Sequence, residues 1–291
     1  MRSHPAEFEM ITPPNLQAAL HLLAKKPGQW MPVAGGTEVM VQFGAGRLTA
    51  HRLVSLWGLP ELTHITNTAD ILVIGGGCTF AQLRAHPVVQ QHFPLLAQAA
   101  SWTGSIANQS RATIAGNIVN ASPAADSPPA LLACEAELEL ISSSGTRRIP
   151  YAAFHLGYKK TALTSSELLL AIHLPKRFDS WFRYARKTGA RNAQAISKIC
   201  IAAVGKLHKG RIETVHIGMG AVAPTPMRLC NTEHLLTGEP ITNSLIAEAR
   251  RVLAGEIAPI DDIRSSAEYR RYVAANLLEE FMRSFAASET A

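Results

Sequence analysis

Apolar positions along the chain fall into two periods. Leu16, Ala19, Leu20 and Leu23 recur at helical spacing behind Asn15, whose side chain can accept from a free first-turn amide. A capped helix is expected there, with Gly28 ending it. Residues 30–33 and 51–56 are short apolar runs of strand character, followed by a turn at Gly58 and Pro60. From Ile71 a second unit opens, with a strand over 71–74 and helices over 79–86, 95–102 and 129–134. Residues 138–141 and 146–149 flank Ser144-Gly145 as hairpin arms, and a strand over 167–174 is stopped by Pro175.

Beyond Pro175 the pattern changes. Two long strands, 196–207 and 211–219, meet at Lys209-Gly210, and helices follow in the 230s, over 244–254 and over 265–285. The last helix carries Tyr269, Tyr272, Val273, Leu277, Leu278 and Phe281 at helical spacing, which reads as a core-facing stripe. Strands and helices come in blocks, so an α+β fold is expected in preference to a doubly wound sheet.

Two glycine-bearing stretches carry the candidate chemistry. Val33-Ala34-Gly35-Gly36-Thr37-Glu38 leads into Val39-Met40-Val41, a short helix candidate; Thr113-Ile114-Ala115-Gly116-Asn117 leads toward Asp126. Without a Cβ, glycine lets backbone amides approach an anion, and a helix start beside it adds donors and partial positive charge. Thr37 is placed to cap the turn that follows and to offer a hydroxyl to phosphate. Two such stretches with a carboxylate downstream suit a dinucleotide, with donors for the pyrophosphate and an acceptor for a ribose. The triphosphate loop G-x-x-x-x-G-K-[ST] and the helix-opening G-x-G-x-x-G are both missing, and Gly75-Gly76-Gly77 reads as a plain turn. No H-E-x-x-H or G-x-S-x-G supports a metal or a hydrolase site.

Composition narrows the setting. At 291 residues, 47% hydrophobic and 17% charged, the chain suits two or three cores of an ordinary folded protein. No stretch approaches the ~18 apolar residues of a membrane span, and the stretch from Met1 to Phe8 lacks a signal-peptide core, so a cytoplasmic location is expected. The net charge of +6 comes from scattered basic pairs, a solvated surface rather than a nucleic-acid patch. Cys78, Cys134, Cys200 and Cys230 form no C-x-x-C, so buried free thiols are expected and any iron–sulfur centre belongs to another polypeptide.

The motifs, taken in order, resemble a known family. Ala34-Gly35-Gly36-Thr37, the Thr113–117 stretch and residues 121–140 are followed by Phe154-His155-Leu156-Gly157-Tyr158-Lys159-Lys160-Thr161, similar to F-x-x-G-Y-R-K-T. Gly220 to Arg228 is similar to G-x-x-A-x-x-P-x-R. Together they resemble the FAD-binding subunit of molybdenum hydroxylases, the group that holds the flavin subunits of xanthine dehydrogenases and aerobic carbon monoxide dehydrogenases. The resemblance implies a two-part FAD-binding region of the vanillyl-alcohol-oxidase type over 1–176, with parts at about 1–58 and 59–176. It also implies a C-terminal domain over 177–291 with a three-stranded antiparallel sheet and helices.

Site residues carry over by the same resemblance. Val33, Ala34, Gly35, Gly36, Thr37 and Glu38 match the pyrophosphate loop, and Thr113, Ala115, Gly116 and Asn117 match T-I-G-G-N, with Ala115 in place of the first glycine. A methyl group fits there if φ is negative. Asn120, Ser122 and Asp126 follow, Asp126 as the ribose or adenine contact. Leu163 is implied as an apolar neighbour of the flavin ring, and Phe182-Arg183 resembles a phenylalanine–lysine pair near it. Ala107-Asn108-Gln109-Ser110 replaces the usual Q-I-R-N, with Arg111 as partial compensation, and no acidic residue stands between Lys187 and Ser197. The implied activity is electron relay, with no catalytic side chain and no metal in this chain. Molybdopterin lies on a large subunit and two [2Fe–2S] clusters on a small one. Electrons reach FAD here and leave to NAD, dioxygen or a quinone, in a dimer of heterotrimers. A self-contained FAD-dependent reductase or oxidase and a flavin-free assembly subunit are the alternatives.

Overall fold

Asn15 caps the first helix as its residue type predicts, its Oδ1 accepting from the Ala18 amide at 2.9 Å. The computed structural model describes residues 4–191 and 194–289. Met1 to Ser3 of the N-terminal reading, and positions 192 and 193 between Lys187 and Ser197, lie outside the described residues.

The chain opens with β1 (Glu9–Ile11), α1 (Leu16–Lys25), β2 (Met31–Val33), α2 (Thr37–Gly44) and β3 (Arg52–Ser55). These strands form a small parallel sheet in the order β1-β3-β2. Leu16, Ala19, Leu20 and Leu23 of α1 pack with Trp30, Val54 and Leu62. The helix ends at Lys25, and Gly28 sits beyond it at φ +77, a conformation that suits a residue without Cβ.

Next come β4 (Ile65–Asn67), β5 (Ile71–Gly75), α3 (Phe80–Ala85), α4 (Pro87–His92), α5 (Pro94–Trp102), α6 (Ile106–Gln109), α7 (Ile114–Val119) and α8 (Ser127–Ala133). After them lie β6 (Glu137–Ser142), β7 (Gly145–Pro150), β8 (His155–Gly157), β9 (Lys160–Thr161) and β10 (Leu168–Pro175). An antiparallel sheet forms in the order β4-β5-β10-β6-β7. Its core joins Leu72, Ile74 and Ile172 to Phe80, Ile118 and Leu131 of the helices. Thr79 and Gln82 make a capping box on α3, with Gln82 Oε1 accepting from the Thr79 amide at 2.8 Å. Helices α4, α6 and α7 are additions to the sequence reading. Each is six residues or fewer, too short to show a full apolar stripe.

The last part comprises β11 (Phe182–Thr188), β12 (Ile199–His208), β13 (Arg211–Gly220), β14 (Met227–Arg228), α9 (Cys230–Leu236), α10 (Asn243–Glu256) and α11 (Ala267–Ala287). The sheet runs β11-β12-β13-β14, so a two-residue fourth strand joins the three long antiparallel ones expected. Alternate residues of β12 face opposite cores. Ile199, Ile201 and Ala203 meet Leu278, Phe281 and Phe285 of α11, whereas Ala202 and Val204 meet the helices of the preceding part. Burial on both faces explains why β12 reads as one continuous apolar run. A Cβ on Gly218 would stand 2.3 Å from the Pro129 carbonyl, so β13 lies directly against α8.

Two expectations need correction. Tyr269 and Tyr272 are 39% and 64% exposed, and the buried stripe of α11 is formed by Ala274, Leu277, Leu278, Phe281 and Phe285. Each tyrosine lies nine positions before a buried residue, two and a half turns at about 3.6 residues per turn, and therefore on the opposite side. Cys230 is exposed, unlike the other three thiols. Among the described residues no helix is long and apolar enough to cross a membrane.

Candidate functional site

Helix α2 begins without a side-chain cap. Gly36 occupies the capping position at φ +75, and Thr37 stands one step inside the helix, so Thr37 is not the cap expected from its type. Val33, buried at the end of β2, anchors the approach, its carbonyl accepting from Leu56 N at 2.8 Å. Ala34 and Gly35 then bring the chain against the segment before α7. A Cβ on Gly35 would lie 1.7 Å from the Arg111 carbonyl oxygen, so only glycine permits this contact. Among the described residues no protein acceptor meets the N–H groups of Gly35, Gly36, Thr37, Glu38 or Val39. These donors and the helix dipole favour an anion at this end. Glu38 is exposed, and its Oε1 accepts from Gln42 Nε2 at 3.1 Å.

The second glycine stretch is built differently. Thr113 caps α7, its Oγ1 accepting from Gly116 N at 3.1 Å. Ile114 N donates to Cys78 O at 2.9 Å, Ala115 N to Gly76 O at 3.0 Å and Asn117 N to Thr113 O at 3.0 Å. Its first-turn amides are therefore already used within the protein, and the expected second set of backbone donors is not available. Ala115 lies in regular helix outside the positive-φ region, so its methyl is tolerated as expected. Gly76 makes room for it: a Cβ there would stand 2.9 Å from Ala115 Cβ and 2.4 Å from the Leu169 carbonyl. Gly76 and Gly77 form the turn expected after β5, closed by Cys78 N donating to Gly75 O at 3.0 Å, and Gly76 in addition seats α7. What α7 contributes is the Asn117 side chain, oriented by Ser127 Oγ donating to its Oδ1 at 2.7 Å.

The turn between β8 and β9 reaches the C-terminal end of α7. Lys159, at φ +56, donates from Nζ to Asn120 O at 2.7 Å and to Asn120 Oδ1 at 2.8 Å. Burial lowers its pKa, and the Glu38 charge works against that shift. Lys159 stands at the arginine position of F-x-x-G-Y-R-K-T, and that motif position is the signal that marks it beyond the site residues expected.

Asp126 is buried at 9% exposure, not on a surface turn. Its Oδ2 accepts from Lys187 Nζ at 2.8 Å and its Oδ1 from Ser197 Oγ at 2.5 Å. Burial raises the pKa of this carboxyl, opposed by the charge and hydrogen bond of Lys187 and by Ser197. Lys187 Nζ also donates to Trp102 O at 3.0 Å. Ser122 shapes the approach, its carbonyl accepting from Ala125 N at 3.2 Å and its Oγ from Ala124 N at 3.3 Å.

Two predicted residues lie apart from this polar cluster. Leu163 packs, partly buried, on the central core. Arg183 Nη2 donates to the Asp179 carbonyl at 2.6 Å and to that of Phe178 at 3.3 Å. Arg183, Ala185 and Lys187 alternate along β11, and Lys187 is the cation that reaches Asp126. A strand assigned over 182–188 would have put it in line.

Comparison with known proteins identifies the family of the chain. The family described as the FAD binding domain in molybdopterin dehydrogenase matches residues 6–177, and the CO dehydrogenase flavoprotein C-terminal domain matches residues 184–285. A putative xanthine dehydrogenase FAD-binding subunit of Escherichia coli K12 is 33% identical over 264 residues, covering 89% of each chain. The carbon monoxide dehydrogenase medium chain of Hydrogenophaga pseudoflava is 26% identical over 280 residues, covering 96% of this chain and 97% of its own. A solved carbon monoxide dehydrogenase from that organism, lacking the Mo-pyranopterin moiety of its cofactor, superposes with a TM-score of 0.90 at 26% identity, over 94% of this chain and 95% of the other. The chain belongs to the FAD-binding family of the molybdopterin dehydrogenases, oxidoreductase subunits of the xanthine dehydrogenase and carbon monoxide dehydrogenase type.

Proposed function

We propose that this chain holds FAD across the start of α2, the side chains of α7 and the Asp126–Lys187 pair, and relays electrons within a molybdenum hydroxylase complex. The observation that carries the reading is the uncapped first turn of α2, whose amides have no protein acceptor among the described residues. The donor set fits the cofactor. Amides of Gly35 to Val39 suit a diphosphate, a Cβ on Gly36 would meet the Met40 and Val33 side chains only at 4.0 Å, and Asn117 supplies a side-chain amide from α7. Asp126 is the acceptor for a hydroxyl of the cofactor, with Lys187 and Ser197 fixing its orientation.

Bound FAD supplies redox chemistry that no side chain of this protein supplies. The chain's own work is to bind, orient and shield. Val33 and Ala34 set the approach to α2, and Thr37 and Glu38 line its first turn. Thr113, Ala115 and Gly116 form the turn that aims Asn117, and Asn120 anchors Lys159. Leu163 and Arg183 complete the proposed set, in an FAD-binding part over 1–176 joined to a C-terminal domain over 177–291.

The relay follows from the partners proposed. With no cysteine cluster in the sequence, electrons come from [2Fe–2S] clusters of a small subunit, fed by molybdopterin on a large subunit, and leave to NAD, dioxygen or a quinone. A dimer of heterotrimers in the cytoplasm is the assembly proposed. Titration of the purified apo-protein with FAD tests the binding step. One FAD per chain with a flavin spectrum is expected, and a folded chain that takes up none contradicts the reading.

A further inference from the structure

The Arg111 guanidinium lies over the Trp57 indole, 3.7 Å from the ring centroid. Stacking of this kind uses the face of the cation and leaves the N–H groups at its edge free to donate. Both residues sit at the approach to α2. Leu56, just before Trp57, bonds the Val33 carbonyl at 2.8 Å, and the Arg111 carbonyl is the atom that a Cβ on Gly35 would strike at 1.7 Å. The Arg111 side chain therefore leaves the backbone at its point of contact with Gly35, within one side-chain length of the unpaired amides.

Three other cations of the proposed site are already engaged. Lys159 is held by Asn120, Lys187 by Asp126 and Arg183 by the Asp179 carbonyl. Among the described residues no carboxylate and no hydrogen-bond acceptor meets the Arg111 guanidinium; its contact is the indole. A cation pre-set on a rigid ring loses little freedom when an anion arrives, and a guanidinium suits two phosphate oxygens at once.

We propose that Arg111, held in place by Trp57, is the counter-charge for the diphosphate of the ligand received at the start of α2. The proposal rests on the FAD reading above and assigns a role within it to one side chain and its support. The stack makes the site select for a diphosphate-bearing ligand over the same ring system without phosphates.

Titration of the apo-protein with FAD, and separately with ADP, in low and high salt tests this. Arg111→Gln is expected to weaken both ligands about tenfold and to flatten the loss of affinity with salt. Arg111→Lys, which keeps the charge but not the planar fork, recovers part of the loss, and Trp57→Leu gives a smaller loss with Arg111 intact. Wild-type affinity and salt dependence in Arg111→Gln would overturn the assignment while leaving the FAD reading standing. Wild-type protein that takes no FAD overturns both. A loss that tracks a lowered apo-protein melting temperature and is not recovered by Arg111→Lys also overturns it, since the stack then serves the fold alone.

Discussion

The Lys187 ammonium stands 2.8 Å from the Asp126 carboxylate, with the two side chains only 11% and 9% exposed. This buried pair joins the residue before α8 to strand β11. At the other end of α8, Glu135 accepts from Arg228 Nη1 at 2.8 Å, and the Ala133 carbonyl meets His216 Nδ1 at 3.1 Å. Helix α8 is therefore gripped at both ends by the C-terminal sheet. The position of the candidate site depends on that grip.

Removing one member of such a pair leaves a buried charge without compensation. Asp126→Ala is expected to weaken FAD by roughly 1–3 kcal/mol, the loss of a charged hydrogen-bond partner. It is also expected to destabilise the fold by about 3 kcal/mol, because Lys187 is stranded. FAD titration and urea unfolding measure the two separately. Unchanged FAD affinity in the folded variant would confine Asp126 to joining α8 and β11.

Gly36 offers a sharper test of the first turn of α2. At φ +75 a β-branched residue is strongly disfavoured, so Gly36→Val distorts the turn that aims the amides, and flavin uptake should be abolished. Gly36→Asn, whose side chain tolerates the left-handed region, separates loss of the turn from loss of space. Full flavin content in folded Gly36→Val would remove this turn from the site.

His216 predicts how stability follows pH. Its ring packs edge-on to Phe178 and Trp181, at 5.4 and 5.6 Å between centroids. Burial, then the charges of Arg228 and Arg177, push its pKa from 6.5 down to about 4, against the Ala133 carbonyl. The unfolded chain therefore takes up this proton first as pH falls. The stability involved is fully present above the unfolded value and is lost progressively as pH drops toward about 4. Between about pH 7 and about pH 5 the loss should reach about 2 kcal/mol. Urea unfolding of His216→Gln at both pH values should show a smaller difference than wild type; an identical difference would refute the assignment.

The parts of this molecule that were readable from sequence are those whose signals are local. Asn15 capped its helix, Lys209-Gly210 joined β12 to β13, and the hairpin of β6 and β7 turned at Ser143-Ser144, one residue before the expected Ser144-Gly145, because a cap or a tight turn depends on a few adjacent residues. Gly35 and Gly36 stood out for the same reason. The partners of Asp126 did not, since Lys187 and Ser197 are 61 and 71 positions away in the chain. The occupied amides of α7 were equally hidden: Cys78 and Gly76 take them from across the fold. Tyr269 and Tyr272 show the remaining limit, because helical spacing identifies a stripe without saying which stripe meets the core.

The relay claim is tested most directly by anaerobic mixing of the FAD-loaded chain with a pre-reduced [2Fe–2S] partner subunit, followed through the flavin absorbance. The account predicts rapid bleaching on mixing with the partner. It also predicts no bleaching when the chain alone meets purines or other heterocycles. Rapid flavin reduction by a heterocycle in the chain alone, or an unchanged flavin spectrum with the reduced partner, would contradict it.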